Sequence, residues 1–300
     1  MTNELAAPCA ADLAAFLDAK LFGKDLPIEK IVPIRLLEPH ALSFAVHYDE
    51  QSVELMNRHP ESLVICAPDY KGRVKASLIL SDHPRLDFLR CLDRFFSPER
   101  ETGIDPTAVV HPRAALGERV SIGAHSVVGS DVQIGDDTRI CHHVVLDGKV
   151  TIGSHCVIKS NAVIGEEGFG FAYDEFGVPM HFPHIGSIEI GDRVWIGACS
   201  TVERATIHKT ILETNVKIDD LVQVGHNCRI GAGTLIMASS VICGGAVVGS
   251  GCWLAPNTTV KEKVRVGDRA YTGLGSVIIE DVPDNVVVVG NPAKVLRTRA

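Results

Sequence analysis

A histidine followed by an asparagine, in the run QVGHN at residues 223–227, is the first candidate for chemistry in this sequence. Near neutral pH an uncharged imidazole can take a proton from an attacking amine or hydroxyl. His125 and His155 stand at similar places elsewhere in the chain, so position alone does not separate a catalytic His226 from a solvated one. The residues therefore offer His226 as a general base, with a surface histidine as the alternative.

Two adjacent histidines, His142 and His143, invite comparison with a metal site. We place them on a strand, where neighbouring side chains face opposite sides, so that one site can hold only one of them. The sequence gives no spaced set of three metal ligands, and its nine cysteines form no CxxC pair. We therefore predict no metal, no permanently bound cofactor, and free thiols.

Basic residues gather near the end of the chain, although the net charge is −8 and the pI is near 5.9. An acidic chain is not expected to bind nucleic acid, because that binding draws on clustered Lys and Arg. Local positive charge suits the phosphates of coenzyme A or of a phosphopantetheine arm, and ordinary solvated faces are the alternative. The candidates for this contact are Lys263, Arg265, Lys294 and Arg297.

A six-residue period indicates the structural element that must position these residues. An aliphatic residue recurs at every sixth position from Ile104 to Ile164, and the period returns between Ile190 and Ile278. Six residues make a short strand and a corner, and three such units make a triangular turn. Stacked turns form a left-handed parallel β-helix with the aliphatic residues inward. Corners take Gly, Asn or Asp, whose backbones tolerate the angles required there. Small inward residues occupy the fifth position at Cys156, Cys228 and Cys252.

The period is interrupted by an aromatic-rich insertion loop at residues 166–187 and slips again over residues 203–211. In so regular a solenoid, such a break predicts a loop projecting from one edge. Loops of this kind often carry function, and a neutral excursion is the alternative.

The part of the chain before the repeat has no period and predicts a small α/β domain. Residues 10–20 suggest an amphipathic helix with Leu13, Phe16 and Leu17 on one face. Further predicted elements are apolar runs at 30–36, 41–47 and 61–67, a helix at 83–96 and a polar linker at 97–103. We place the domains at 1–103, 104–285 for the β-helix, and 286–300 for a cap strand with a basic tail. Neither a signal peptide nor a membrane span is expected.

Seven stretches together resemble one known family. They are ADLA at 11–14, SFAV at 43–46, IGEEGFGFA at 164–172, IG at 185–186, IGDRVWIGAC at 190–199, IDD at 218–220 and QVGHN at 223–227. The sequence resembles the bacterial UDP-3-O-acylglucosamine N-acyltransferases (LpxD) of lipid A biosynthesis over nearly its whole length. The insertion and the His-Asn corner carry this resemblance, because hexapeptides alone indicate only an acyltransferase-like solenoid.

The free thiols favour a reducing cytoplasm. The resemblance implies a homotrimer whose N-terminal domain binds the uridine of a nucleotide-sugar acceptor. The β-helix would transfer an acyl group from acyl carrier protein or coenzyme A to the glucosamine amine. His226 would be the general base, and backbone amides would hold the oxyanion. The expected substrate contacts are Phe44, Tyr48, Phe169, Phe171, Asn227, Gln223 and Asp219.

Some residues depart from the family pattern. The run ERATIHKT at 203–210 replaces an acidic run, Glu50 stands where a tyrosine is expected, and Lys263 stands where a second histidine is expected. We also expect the chain to end without the family's helical extension, as coenzyme A-dependent acetyltransferases do.

Two alternatives stay open: an acetyl-CoA-dependent N-acetyltransferase of a nucleotide amino sugar, and a non-catalytic β-helix that binds or scaffolds. A carbonic-anhydrase-like metal enzyme is a more distant alternative.

Overall fold

A computed structural model describes residues 7–97 and 102–299, and the chain divides into two compact units, Met1–Arg100 and Glu101–Ala300. Four residues of the predicted linker, 98–101, lie outside the described residues. Each unit is built around its own apolar core.

The first unit is a five-stranded sheet with three α-helices. Its strands are β1 (Leu21–Phe22), β2 (Lys30–Ile31), β3 (Ala41–Ala45), β4 (Leu63–Cys66) and β5 (Ser77–Leu80). Its helices are α1 (Ala10–Phe16), α2 (Glu50–Arg58) and α3 (Pro84–Cys91); short 3₁₀ turns lie at Ile34–Leu36 and Pro68–Tyr70, and a π-helical stretch at Leu92–Phe96. The sheet order is β1-β5-β4-β3-β2, parallel except for β1 against β5. The predicted α/β character is confirmed.

The sequence predicted the first helix too long and its apolar face too wide. Helix α1 ends at Phe16, and Phe16 is 44% exposed whereas Leu13 is fully buried. Helix α2 and strands β1 and β5 were not predicted. Helix α2 buries only Ser52 and Met56, and six of its nine residues are polar, so it contains no apolar run.

The second unit is a three-sided parallel β-helix. Sheet I contains Val109–Val110, Val127–Val128, Val145–Leu146, Val163–Glu167, Thr201–Arg204, Gln223–Val224, Val241–Ile242, Thr259–Val260 and Val277–Ile278. Sheet II contains Ala115–Leu116, Val132–Ile134, Lys149–Ile152, Ser187–Ile190, Lys209–Leu212, Arg229–Ile230, Val247–Val248 and Arg265–Val266. Sheet III contains Gly103–Ile104, Ser121–Ile122, Arg139–Ile140, Val157–Ile158, Trp195–Ile196, Lys217–Ile218, Leu235–Ile236, Trp253–Leu254, Tyr271–Thr272, Val286–Val289 and Lys294–Thr298. The predicted solenoid is therefore confirmed.

The pairing register gives the length of each turn. Val127 pairs with Val145, eighteen residues further on, as three hexapeptides require. Ile164 pairs with Val202 across the insertion, and Val202 pairs with Val224 across the later slip. Both extra segments leave the chain between a sheet I strand and the following sheet II strand, so both project from the same edge of the prism.

The inward positions are as predicted along most of the prism. Val128, Ile158 and Ile190 are at most 2% exposed, and the fifth-position thiols are buried, which raises the pKa of Cys228 to about 12. Fifth-position hydroxyls donate to carbonyls of the next turn, as Thr138 does to Gly153 at 2.8 Å. These bonds satisfy polar groups inside an apolar column.

Three details of the solenoid differ from the prediction. Ile104 is 49% exposed, because among the described residues its turn has a stacked neighbour on one side only. Residues 286–298 form two strands rather than one cap strand, since Lys294–Thr298 returns antiparallel to Val286–Val289. The corners accept His, Arg, Lys and Leu with positive φ, as at His155 (57°) and Leu221 (60°), besides the expected Gly, Asn and Asp.

No helix in the described ranges is long and apolar enough to cross a membrane.

Candidate active site

The edge between sheets I and II, here called the I–II edge, collects most of the irregular features of the β-helix. Going up the prism, it carries the insertion after Ile164, the slip after Val202, then His226 with Asn227. Gly244 and Gly245 lie in the next turn above, and Lys263 in the turn after that. A site on this edge can therefore draw on consecutive turns about 4.8 Å apart.

The side chain of Asn227 holds the imidazole of His226 in one tautomer. Oδ1 of Asn227 accepts from the backbone N–H of Thr206 (3.1 Å) and from the Thr206 hydroxyl (2.9 Å), so it faces donors. The same oxygen lies 2.9 Å from Nδ1 of His226, and an acceptor there requires Nδ1 to carry the proton. The assignment leaves Nε2 with a free lone pair, which is the form of imidazole that can accept a proton.

Two glycines leave room for the ring of His226. A Cβ on Gly244 would stand 2.6 Å from Nε2, and a Cβ on Gly168, in the insertion, would stand 2.9 Å from Cδ2. Neither glycine has a positive φ, so the turn itself does not require glycine at either place. The ring therefore lies in a slot between the insertion and the next turn of the solenoid.

Glu203 links two of the predicted site residues. Its carboxylate accepts from the backbone N–H of His226 (3.2 Å) and from the side-chain amide of Gln223 (2.9 Å). The sequence prediction named Gln223 and missed Glu203. Only the stacking of turns, in which Val202 pairs with Val224, reveals that Glu203 lies beside His226.

Arg204 fastens the insertion to the solenoid. Its half-buried guanidinium donates to the backbone carbonyls of Gly165 and His184 and to Oε1 of Glu167 at 2.7 Å. The Arg204 hydrogen bond is the largest influence that holds the pKa of Glu167 below its ordinary value. Part of the departing run at 203–210 thus positions the insertion.

The return of the insertion brings three metal-ligating side chains together. Glu167, His181 and the buried His184 offer ligand atoms that all lie within 4.8 Å of one another. The sequence reasoning missed this set and considered the His142 and His143 pair instead. That pair lies at a corner rather than on a strand, and the rings of His143 and His125 are tilted by 30° with centroids 5.1 Å apart.

The predicted aromatic contacts of the insertion lie on its exposed face. Phe169 and Phe171 are 86% and 47% exposed, and their rings are 4.8 Å apart. Phe171 lies on the strand Phe171–Tyr173, which pairs antiparallel with Pro179–His181. The insertion is therefore a short hairpin with an exposed aromatic face.

The remaining predicted residues of the β-helix are spread over different edges. Lys263 lies on the I–II edge with positive φ, and Arg265 begins the next strand of sheet II. Asp219 lies at the corner before the strand Gln223–Val224 and accepts from the N–H of Ala238. Lys294 and Arg297 lie on the last strand of sheet III. The structure therefore groups Lys263 and Arg265 with His226 along one edge and leaves Lys294 and Arg297 on another face.

The two predicted contacts of the first unit lie on or beside β3. Phe44 is half-buried and packs against Phe88 with ring centroids 4.7 Å apart. Tyr48 packs against Tyr70 at 5.2 Å and lies under the guanidinium of Arg73 at 5.0 Å. The Tyr48 hydroxyl donates to Glu50, the residue that stands where the family pattern has a tyrosine.

The chain is similar to known acyltransferases. A family model described as bacterial transferase hexapeptide (six repeats) matches residues 131–166. UDP-3-O-acylglucosamine N-acyltransferase from Chlorobium chlorochromatii is 52% identical over 80 residues, 27% of this chain and 22% of that protein. The protein of the same name from Herminiimonas arsenicoxydans is 35% identical over 120 residues, 40% of this chain and 34% of that protein.

Among solved structures, UDP-N-acetylglucosamine acyltransferase from Francisella novicida is 27% identical to this chain. That structure superposes with a TM-score of 0.59 over 65% of this chain and 69% of its own. The resemblance indicated by the sequence motifs is thus confirmed. The matched segments span about a fifth to a third of the length of the two curated relatives.

Proposed function

We propose that this chain is an acyltransferase that moves an acyl group from a thioester to the amine of a nucleotide-linked amino sugar, with His226 as general base. One observation carries the proposal: the Asn227 and Thr206 contacts leave Nε2 of His226 as a proton acceptor beside the insertion. The similarity to UDP-3-O-acylglucosamine N-acyltransferases supports the choice of an amine acceptor.

The reaction begins when Nε2 of His226 removes a proton from the sugar amine as its nitrogen attacks the thioester carbonyl. A C–N bond forms, and the carbonyl oxygen becomes an oxyanion. When the tetrahedral intermediate collapses, the C–S bond breaks and the imidazolium returns its proton to the departing thiolate. The products are an amide and a free thiol, so the base is regenerated in each cycle.

The backbone amide of Gly244 is the proposed donor to the oxyanion. Gly244 lies directly above His226 in the next turn, and its N–H has no hydrogen-bond acceptor among the described residues. An amide in this position is fixed before the reaction starts, so it stabilises the developing charge without reorganising. Glu203 would keep the backbone of His226 in place through their 3.2 Å hydrogen bond.

The donor thioester is proposed to lie along the I–II edge above His226. Lys263 projects from this edge two turns above Asn227, about 10 Å away at the usual turn spacing. Its charge and that of Arg265 suit the phosphates of a phosphopantetheine arm, which acyl carrier protein and coenzyme A share.

Phe44 and Tyr48 are the proposed contacts for the base of the acceptor nucleotide. The proposal includes a homotrimer, because a single corner histidine needs a neighbouring surface to complete a groove. It also includes a cytoplasmic location.

The test compares the chain with a His226→Ala variant on a UDP-linked 2-amino sugar. The variant should keep the oligomeric state seen by light scattering and lose roughly 10²- to 10⁴-fold in kcat, the usual contribution of a general base. Wild-type activity in the variant would refute the role of His226. The donor is identified by supplying the same acyl group on acyl carrier protein and on coenzyme A. If the wild-type chain turned over neither donor, the non-catalytic alternative would lead.

A further inference from the structure

The return of the insertion hairpin places three donor atoms together beside, but separate from, the base that the proposed reaction uses. We propose that Glu167, His181 and His184 bind one divalent transition-metal ion, with Zn²⁺ as its best fit. Glu167 ends a strand of sheet I, His181 ends the second hairpin strand, and His184 lies on the segment that leads back to sheet II. A bound ion would therefore join three separate segments.

The orientation of His184 is the first argument for the site. Its side chain is only 2% exposed, and its Nδ1 lies 2.8 Å from the backbone carbonyl of Phe182. A carbonyl can only accept, so Nδ1 carries the proton and Nε2 carries the lone pair. Metal-binding histidines are commonly fixed in this way by a carbonyl on the opposite ring nitrogen. Nε2 of His184 has no hydrogen-bond partner within residues 7–97 and 102–299, which is costly for a buried polar atom.

The second argument is the carboxylate. Oε1 of Glu167 accepts from Arg204, whereas Oε2 is buried and lacks a hydrogen-bond partner in the described ranges. Oε2 lies 3.0 Å from Nε2 of His181, although the contact lacks hydrogen-bond geometry. One carboxylate oxygen is thus held by a cation, and the other faces the two imidazoles.

The donor set and its spacing suit a first-row divalent ion. Two imidazoles and one carboxylate are a familiar set for zinc with an open fourth position. Tetrahedral ligands at zinc distances lie about 3.3 Å apart, so donors within 4.8 Å of one another need only a small closure. His181 can supply this movement, because all three residues of its strand are exposed.

The competing interpretation is a simple ion pair between Glu167 and a protonated His181, with His184 as a packing residue against His226. The rings of His184 and His226 are indeed in edge contact, with centroids 5.1 Å apart. An ion pair, however, leaves Nε2 of His184 without a partner. The metal site satisfies both orphaned atoms, so it is the better account of the three side chains.

The experiment uses the full chain after dialysis against a chelator, titrated with Co²⁺ as a spectroscopic probe and then with Zn²⁺ in competition. One Co²⁺ per chain should give visible d–d absorption without a thiolate charge-transfer band, and Zn²⁺ should displace it. His181→Gln should weaken Co²⁺ binding at least about tenfold, since it removes a ligand. His208→Gln is the matched control, because His208 is exposed and its imidazole has no hydrogen bond to described residues.

Three results would overturn the site: no saturable Co²⁺ binding, equal binding by the His181→Gln and wild-type chains, or a thiolate band that indicates cysteine ligands. Proteolysis supplies a second measurement. Glu175 lies exposed in the turn of the hairpin, so cleavage after it should slow when Zn²⁺ joins the hairpin to Glu167. The same cleavage rate with and without Zn²⁺ would overturn this fastening. His226 is not a ligand, so this test is independent of the proposed acyl transfer.

Discussion

Replacing Gly244 by alanine should disable the site while leaving the β-helix intact. The new Cβ would lie 2.6 Å from Nε2 and 2.7 Å from Cε1 of His226. Carbon atoms in normal contact are about 3.5 Å apart, so the imidazole must move by about 1 Å. That movement strains its 2.9 Å contact with Asn227, and the Gly168 side of the slot limits how far the ring can retreat.

The expected loss in kcat is on the order of 10²-fold, because a misplacement of about 1 Å at a reacting group costs roughly this much. The fold should not suffer, since alanine already stands at the same repeat position in four other units: Ala124, Ala198, Ala232 and Ala238. Gly→Ala exchanges at compatible angles change stability by only about 0.4–1 kcal/mol, in the favourable direction.

The assay pairs saturating kinetics with thermal unfolding followed by circular dichroism. Gly129→Ala is the control, because Gly129 also lacks a positive φ and its Cβ would come no closer than 3.2 Å to a neighbour. Both variants should unfold near the wild-type temperature, and only Gly244→Ala should lose turnover. Wild-type kcat in Gly244→Ala would refute the slot, and a collapse of its melting temperature would show that the turn itself needs glycine.

Two further predictions follow from contacts at the corners. Asn227 has a φ of 61°, so Asn227→Gly keeps the backbone and removes the oxygen that sets the His226 tautomer. Its kcat should fall by at least about tenfold and by no more than the roughly 10²- to 10⁴-fold of a lost base. Its melting temperature should fall by only a few degrees, because glycine adds unfolded-state entropy and the hydrogen bonds from Thr206 are lost; undiminished kcat would contradict the tautomer argument. The hydrogen bond from Lys159, at 2.5 Å, is the main cause that lowers the pKa of Asp220 from its ordinary 3.8. A lowered folded-state pKa stabilises the fold above pH 3.8 and ceases to do so as the pH falls through the folded value. The melting-temperature gap between the wild-type chain and Asp220→Asn should therefore be open near neutral pH and close in acid; a gap independent of pH would contradict it.

The solenoid was predictable because its signal is local. One side chain in every six is buried along the repeat. The burial of positions such as Val128 and Ile190 can therefore be predicted by counting residues. Ile104, which is 49% exposed, belongs to the first described turn, where the period continues but the described residues give it a stacked neighbour on one side only. The six-residue period shows which side chains are suited to burial. It does not show whether a neighbouring turn covers them.

The location of the irregular segments was also within reach of the sequence. Ile164, Val202 and Val224 are successive sheet I positions, so counting in turns places the insertion, the slip and His226 on one edge. The contacts themselves were not predictable. Thr206 reaches Asn227 only because the slip adds residues to its turn, and no local pattern states where such residues point.

The donor cluster of the hairpin illustrates a different limit. His181 and His184 become neighbours of Glu167 only after the hairpin reverses the chain and Phe171 pairs with His181. Spacing rules for metal ligands describe short local motifs, and a set that spans a hairpin and a solenoid corner has no fixed spacing. Only the adjacent histidines 142 and 143 stand out as possible metal ligands in the sequence, and the distant set does not.

The stacking of turns also sets a scale of length for anything that binds along the I–II edge. Groups on this edge can differ in height only by multiples of about 4.8 Å, since each belongs to a whole turn. The spacing of His226 and Lys263 is two such steps, and side-chain exchange can adjust it only by the reach of one residue. A larger change requires adding or removing a complete turn of eighteen residues. The distance along the edge between His226 and Lys263 would then change by a whole turn, while the hydrophobic column inside would stay the same.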